Sequence, residues 1–124
     1  MIVHIASTIW QFRRPLFLGC LLVFCYGVFR PEPPPDLFQD SDKALHILAF
    51  AGLSFSARLG LDRAPAWLLW PALVVLAPLT EWLQHIVQPT REFSLGDIQA
   101  NLAGIVLGSL TWMIFRRLLS TRQA

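Results

Sequence analysis

The chain has 124 residues, room for one domain (1–124), and is 55% hydrophobic with only 15% charged residues. A water-soluble fold of that composition would leave apolar surface it has too few polar groups to cover. The charges also fall in short clusters between long uncharged runs, as they do in helical membrane proteins. A net charge of +2, without a Lys/Arg tract or basic stripe, argues against a nucleic-acid partner.

Four apolar runs predict four membrane spans. The first, at about 12–30, starts at Arg13-Arg14 and extends back over Ile9–Phe12 if those arginines snorkel. It resembles a signal peptide, but no small-x-small cleavage site follows, so an uncleaved span is expected. Cys20 and Cys25, five residues apart, fall on different helix faces and read as small buried hydrophobes rather than a disulfide. Pro31-Glu32-Pro33-Pro34-Pro35 cannot be helical and makes a stiff polar linker. The second span needs about 42–61 to reach the roughly 20 residues that cross hydrocarbon, and it carries His46, Ser54 and Ser56. Arg58–Ala64 then forms a tight turn.

The third span, at about 65–87, contains Pro71 and Pro78. Both are of a kind tolerated in membrane helices, or Pro78 re-aims the turn bearing Glu81 toward the interior. Gln88–Gly96 is a loop, and the fourth span covers about 97–117. Barrel-type alternation is absent. The expected fold is therefore all-α, an integral membrane four-helix bundle. Seven Lys/Arg, in the N-terminal segment, the second-to-third turn and the tail (with Arg122), oppose three in the other loops: Arg30, Lys43 and Arg91. That bias predicts N-in, C-in, with Trp10, Trp67 and Trp112 near the inner interface and Trp82 near the outer one.

This topology sends polar residues from distant segments to one outer depth. Asp42, Lys43 and His46 open span two. Glu81, Gln84 and His85 close span three, Arg91 follows in the loop, and Asp97 and Asn101 open span four. Helical spacing puts Asp42 with His46 on one face and Glu81 with Gln84 and His85 on another. Asp97 and Asn101 head the stripe that continues through Gly104-x-x-x-Gly108, which suits close contact with span two or three. An unpaired Glu81 in the outer leaflet costs roughly 2.5–3.5 kcal/mol, so it calls for a cation, a proton or a ligand, with Arg91, Lys43 and His46 as candidate partners. The expectation is a cluster centred on Glu81 and Arg91, paired directly or through one intervening group. His85 reads as a local polar residue.

Asp42-Lys43-x-x-His46-x-x-x-Phe50, Glu81-x-x-Gln84, Pro89-x-Arg91 and Asp97-x-x-x-Asn101-x-x-Gly104-x-x-x-Gly108 together resemble the VanZ-like family over about residues 40–110. The resemblance implies a compact helical domain in the bacterial cytoplasmic membrane. It also implies a cell-envelope role, the named member being associated with resistance to the glycopeptide teicoplanin.

The leading functional expectation is a site for an anionic lipid or a lipid-linked cell-wall precursor. Asp42, Lys43, His46, Glu81, Gln84, Arg91, Asp97 and Asn101 are its candidate binding residues, with Arg91 and Lys43 on the phosphate. The alternatives are an enzyme using Glu81 and His46 as an acid–base pair, and a network that only locks helices together. Nothing in the sequence calls for a cofactor. A metal site of His46, Glu81, His85 and Asp97 matches no recurrent ligand spacing, so none is expected.

Overall fold

The computed structural model describes residues 1–121, which leaves Arg122 outside the described residues. Five helices follow one another: α1 (Ile2–Gln11), α2 (Arg13–Phe29), α3 (Ser41–Gly60), α4 (Ala66–Val87) and α5 (Leu95–Ser120), with no strand among the described residues. α4 and α5 are each long and apolar enough to cross a membrane, and α1 and α2 qualify as a bent pair. α3 is 20 residues long, about 30 Å, so its length suffices. Its composition is too polar for it to count among the candidate spans, and His46, Ser54 and Ser56 on it are buried.

The first segment departs from the sequence reading. The chain does not extend span one backward but breaks at Phe12 (φ −95°, ψ 15°) and turns by 70° into a separate helix. Pro15 explains the break. It has no N–H to give to the carbonyl of Gln11, and its ring would collide with that carbonyl in a continuous helix. Arg13 clasps the corner: its Nη1 donates to Trp10 O at 3.0 Å, its guanidinium stacks 4.6 Å from the Trp10 ring, and its Nη2 lies 3.5 Å from Asp62. α1 then packs on α5 through Ala6, which is buried in a cluster with Leu59 and Phe115.

α3 is the central helix, with its largest interface against α5 and the next against α2. The α5 interface is close because Gly104 and Gly108 face α3. A Cβ on Gly104 would sit 2.5 Å from Ile47 O, and one on Gly108 would sit 2.9 Å from Ala51 O and collide with Ser54 Oγ. Leu53, Ala57, Leu69, Leu73, Ala77 and Ile105 complete an apolar layer around Phe50. α4 runs unbroken through Pro71 and Pro78.

Apolar side chains also cover much of the surface, and several polar ones lie inside. Leu22, Val23, Leu48, Trp67, Val75, Val106 and Ile114 are exposed, while His46, Ser54, Ser56, Thr80, Glu81, Gln84 and Asn101 are buried. Many exposed large apolar side chains together with a cluster of buried polar ones fit a helical membrane protein.

The connections alternate ends. The Arg30–Asp40 linker and the Gln88–Ser94 loop meet at one end, and the 61–65 turn lies at the other with α1. The linker enters α3 through Asp40, whose left-handed backbone (φ 59°) an aspartate tolerates better than most residues.

Candidate functional site

The end holding the linker and the Gln88–Ser94 loop collects the polar side chains. Ser94 caps α5, its Oγ accepting from Asp97 N at 3.2 Å. The cap fixes Asp97 in the first turn, buried, where the helix dipole favours its charge. The loop leading there is folded back on α4: Arg91 N donates to Gln88 O at 2.9 Å, and His85 Nδ1 donates to Arg91 O at 2.9 Å. Arg91 is thereby swung over the molecule's end, where its Nη2 donates to Asp97 Oδ2 at 2.9 Å and also to His46 Nε2.

One chain of hydrogen bonds follows. A guanidinium only donates, so His46 Nε2 accepts and the ring proton resides on Nδ1. Nδ1 donates to Asn101 Oδ1 at 2.7 Å, and Asn101 Nδ2 donates to Ala77 O at 3.1 Å. Arg91, His46, Asn101 and the α4 backbone are thus linked in sequence across three helices. Asn101 has no exposed surface, so its bonds form without competition from solvent.

Glu81 stands beside this chain. It is 0% exposed, and its Oε1 accepts from the backbone N of Ser94 at 2.8 Å, while its Oε2 has no partner. It forms no ion pair with Arg91, Lys43 or His46; the carboxylate that pairs with Arg91 is Asp97. Glu81 is joined to the cluster instead by proximity, since one ligand atom each from His46, Glu81 and Asp97 lies within 4.8 Å of the others. His85, grouped with them in sequence, is exposed and serves the loop. Lys43 also takes a different position. Its Nζ lies among Asp40 (3.4 Å), Asp42 (4.0 Å) and Asp97 (3.9 Å) at the exposed rim of the cluster.

A groove of 650 Å³ opens from this end between α2 and α3. Arg30, Asp42, His46, Gln84 and Arg91 line its polar end, and it continues along apolar residues of both helices as far as Pro15 and Leu53. Phe24 and Phe50, edge to face at 5.2 Å, also line it. Gly19, Gly27 and Gly52 border it as well, and a Cβ on any of the three would meet nothing within 4 Å. These glycines leave the trough unfilled, whereas Gly104 and Gly108 let two helices come together.

Of the eight candidate binding residues, Asp42, His46, Gln84 and Arg91 line the groove, while Glu81, Asp97 and Asn101 stand behind them and Lys43 lies outside. Unpartnered buried side-chain atoms concentrate here too: Glu81 Oε2, Gln84 Oε1, Gln88 Oε1, Arg91 Nε and Asp97 Oδ1. Each would cost about 1–3 kcal/mol if left so, and native structures keep such atoms few. Family models, curated proteins and solved structures were compared with the chain, and none matches.

Three participants were not legible as site residues. Arg30 counted only as a topological charge, yet it lines the groove over Tyr26 at 5.8 Å. Gln88 is fully buried and donates to Arg30 O at 3.0 Å, tying the loop to the end of α2. Ser94 caps α5 and binds Glu81. Its Ser94-x-x-Asp97 spacing ahead of an apolar run is a capping signature that the sequence did carry. Both His46 nitrogens are engaged in hydrogen bonds, and Glu81 is fully buried and does not line the groove.

Proposed function

We propose that this protein is a four-span membrane protein that holds an anionic amphiphile in the α2–α3 groove. The amphiphile class is a long apolar chain ending in a phosphate, as in an anionic lipid or a lipid-linked envelope intermediate. The observation that carries the reading is the continuity of the groove, which joins two arginines to an apolar trough bordered by glycines facing open space. Arg91 Nε is buried without a partner and Arg30 lies across the same mouth, so the head group meets two planar donors. Gln84 Oε1, also unpartnered, suits a hydroxyl or amide of the head group. At 1.5 Å per residue the trough follows α2 from Pro15 to Arg30 for about 22 Å, room for one extended chain within a hydrocarbon core of about 30 Å. The motif resemblance to the VanZ-like family favours an envelope molecule as the occupant.

Native mass spectrometry of the detergent-extracted protein tests this reading. The expected result is a reproducible bound mass, lost in Arg91→Ala and in Gly52→Leu. Gly52→Leu fills the trough while leaving the polar end intact, and the space before Gly52 means it costs little stability. Retention of the mass in both variants would refute the groove as the binding site.

The arginine bias further orients the polar end outward, in four spans with α3 counted as one because its polar side chains are shielded by α5, α2 and α4. A reporter fused after Ala124 is expected to remain cytoplasmic and one inserted near Pro34 to be exported. An exported signal at Ala124 would reverse the orientation and move the groove mouth to the inner surface.

A further inference from the structure

We infer that His46, Glu81 and Asp97 form a binding site for one divalent first-row transition-metal ion, with Mn²⁺ and Zn²⁺ as the fitting class. The three residues come from α3, α4 and α5, and one ligand atom of each lies within 4.8 Å of the others. Tetrahedral ligands at about 2.1 Å from a shared ion lie roughly 3.4 Å apart, so any pair near the 4.8 Å bound must draw together by side-chain rotation as the ion binds. His46 Nε2 and Asp97 Oδ2 are already 3.6 Å apart, near the roughly 3.4 Å of two tetrahedral ligands with bonds of about 2.1 Å.

Each ligand is held from behind by a partner other than Arg91, so that displacing the Arg91 guanidinium leaves its ligand atom open to an ion. Asn101 accepts the His46 Nδ1 proton, which turns the Nε2 lone pair into the cluster, the outer partner that metal-bound imidazoles usually have. The Ser94 backbone binds only one oxygen of Glu81, and Asp97 has its backbone N–H capped by Ser94 Oγ. Both acids are more than nine-tenths buried, and Glu81 Oε2 and Asp97 Oδ1 have no hydrogen-bond partner.

The group now touching this cluster is itself a cation. Arg91 Nη2 contacts both His46 Nε2 and Asp97 Oδ2, and Lys43 Nζ lies 3.9 Å from Asp97 Oδ1, while among the described residues no cation pairs with the buried Glu81. A divalent ion balances both acids, and imidazole among the ligands favours a transition ion over Mg²⁺ or Ca²⁺. By taking over Nε2 and Oδ2 the ion displaces the Arg91 guanidinium toward the groove. There ion and arginine together face the phosphate of the proposed amphiphile. Only this last step rests on the amphiphile reading; the ion site does not require it.

The test is Mn²⁺ titration of the chelator-stripped protein in detergent, read by the loss of free-ion electron paramagnetic resonance, with Zn²⁺ competition. The expected result is one ion per chain, with affinity lowered about tenfold or more in Glu81→Gln and in His46→Gln. Arg91→Gln should bind the ion more tightly than the parent, since it removes the competing cation. A purely structural network predicts no such gain. Failure of either ion to bind the parent and Arg91→Gln, or binding unchanged in Glu81→Gln and His46→Gln, overturns the site. Gly52→Leu should retain the ion while losing the amphiphile. A bound amphiphile that persists in chelator, in a protein that binds no ion, would sink this inference and leave the groove reading intact.

Discussion

Gly104→Leu is expected to abolish the native state or destabilise it by more than about 3 kcal/mol, read as thermal unfolding in detergent. Overpacking usually costs about 1–3 kcal/mol because neighbouring side chains yield. Here the nearest neighbour of a new Cβ is a backbone oxygen, Ile47 O at 2.5 Å, followed by Phe50 Cβ at 2.8 Å, and neither can rotate away. Gly108→Leu should behave similarly, because Ala51 O stands 2.9 Å from its Cβ position. Gly52→Leu is the internal control, since nothing lies within 4 Å of a Cβ there. Equal unfolding temperatures for Gly104→Leu and Gly52→Leu would show that α3 and α5 do not pack through this stripe.

The second large effect is expected at Arg91 and Asp97. Their 2.9 Å contact is nearly sealed, with side chains 11% and 4% exposed, so truncating either leaves an uncompensated charge. Arg91→Ala and Asp97→Ala should each cost about 3–5 kcal/mol, against less than about 1 kcal/mol for a rim pair. The double variant should cost little more than one single variant, because removing the second partner also removes the stranded charge. Glu81→Ala should combine with Arg91→Ala much more nearly additively, since the recorded bond of Glu81 is to the Ser94 backbone. Unfolding free energies in bicelles decide the point. Additivity for Arg91 with Asp97, or strong coupling of Arg91 with Glu81, would mean that the pairing is the one expected from sequence.

That expectation shows where a sequence stops being informative. Helical spacing tells which residues share a face, and on that basis His46, Glu81, Asp97 and Asn101 do converge. It does not tell which atoms on facing helices come within bonding distance, because that depends on each helix's rotation about its axis. The sequence pointed to Glu81 as the partner of Arg91, because an unpaired carboxylate inside the leaflet is costly. The capped first turn of α5 settles the matter by holding Asp97 under the folded-back loop, while a backbone amide of that loop takes Glu81. No side-chain pattern announces a backbone donor.

The sequence by itself determined the helical class, the apolar exterior, the non-helical proline linker and the delivery of polar groups to one end. All of these follow from local terms: run length, proline chemistry and the alternation of ends that short connections impose. The bend at Phe12 was also written locally, in Pro15, although its angle was not. Only the tertiary structure decided the ion pairing, the course of the groove and the opposite uses of the glycines. Gly104 and Gly108 differ from Gly19, Gly27 and Gly52 in nothing but what faces them: a neighbouring backbone in contact for the first two, and open space for the other three.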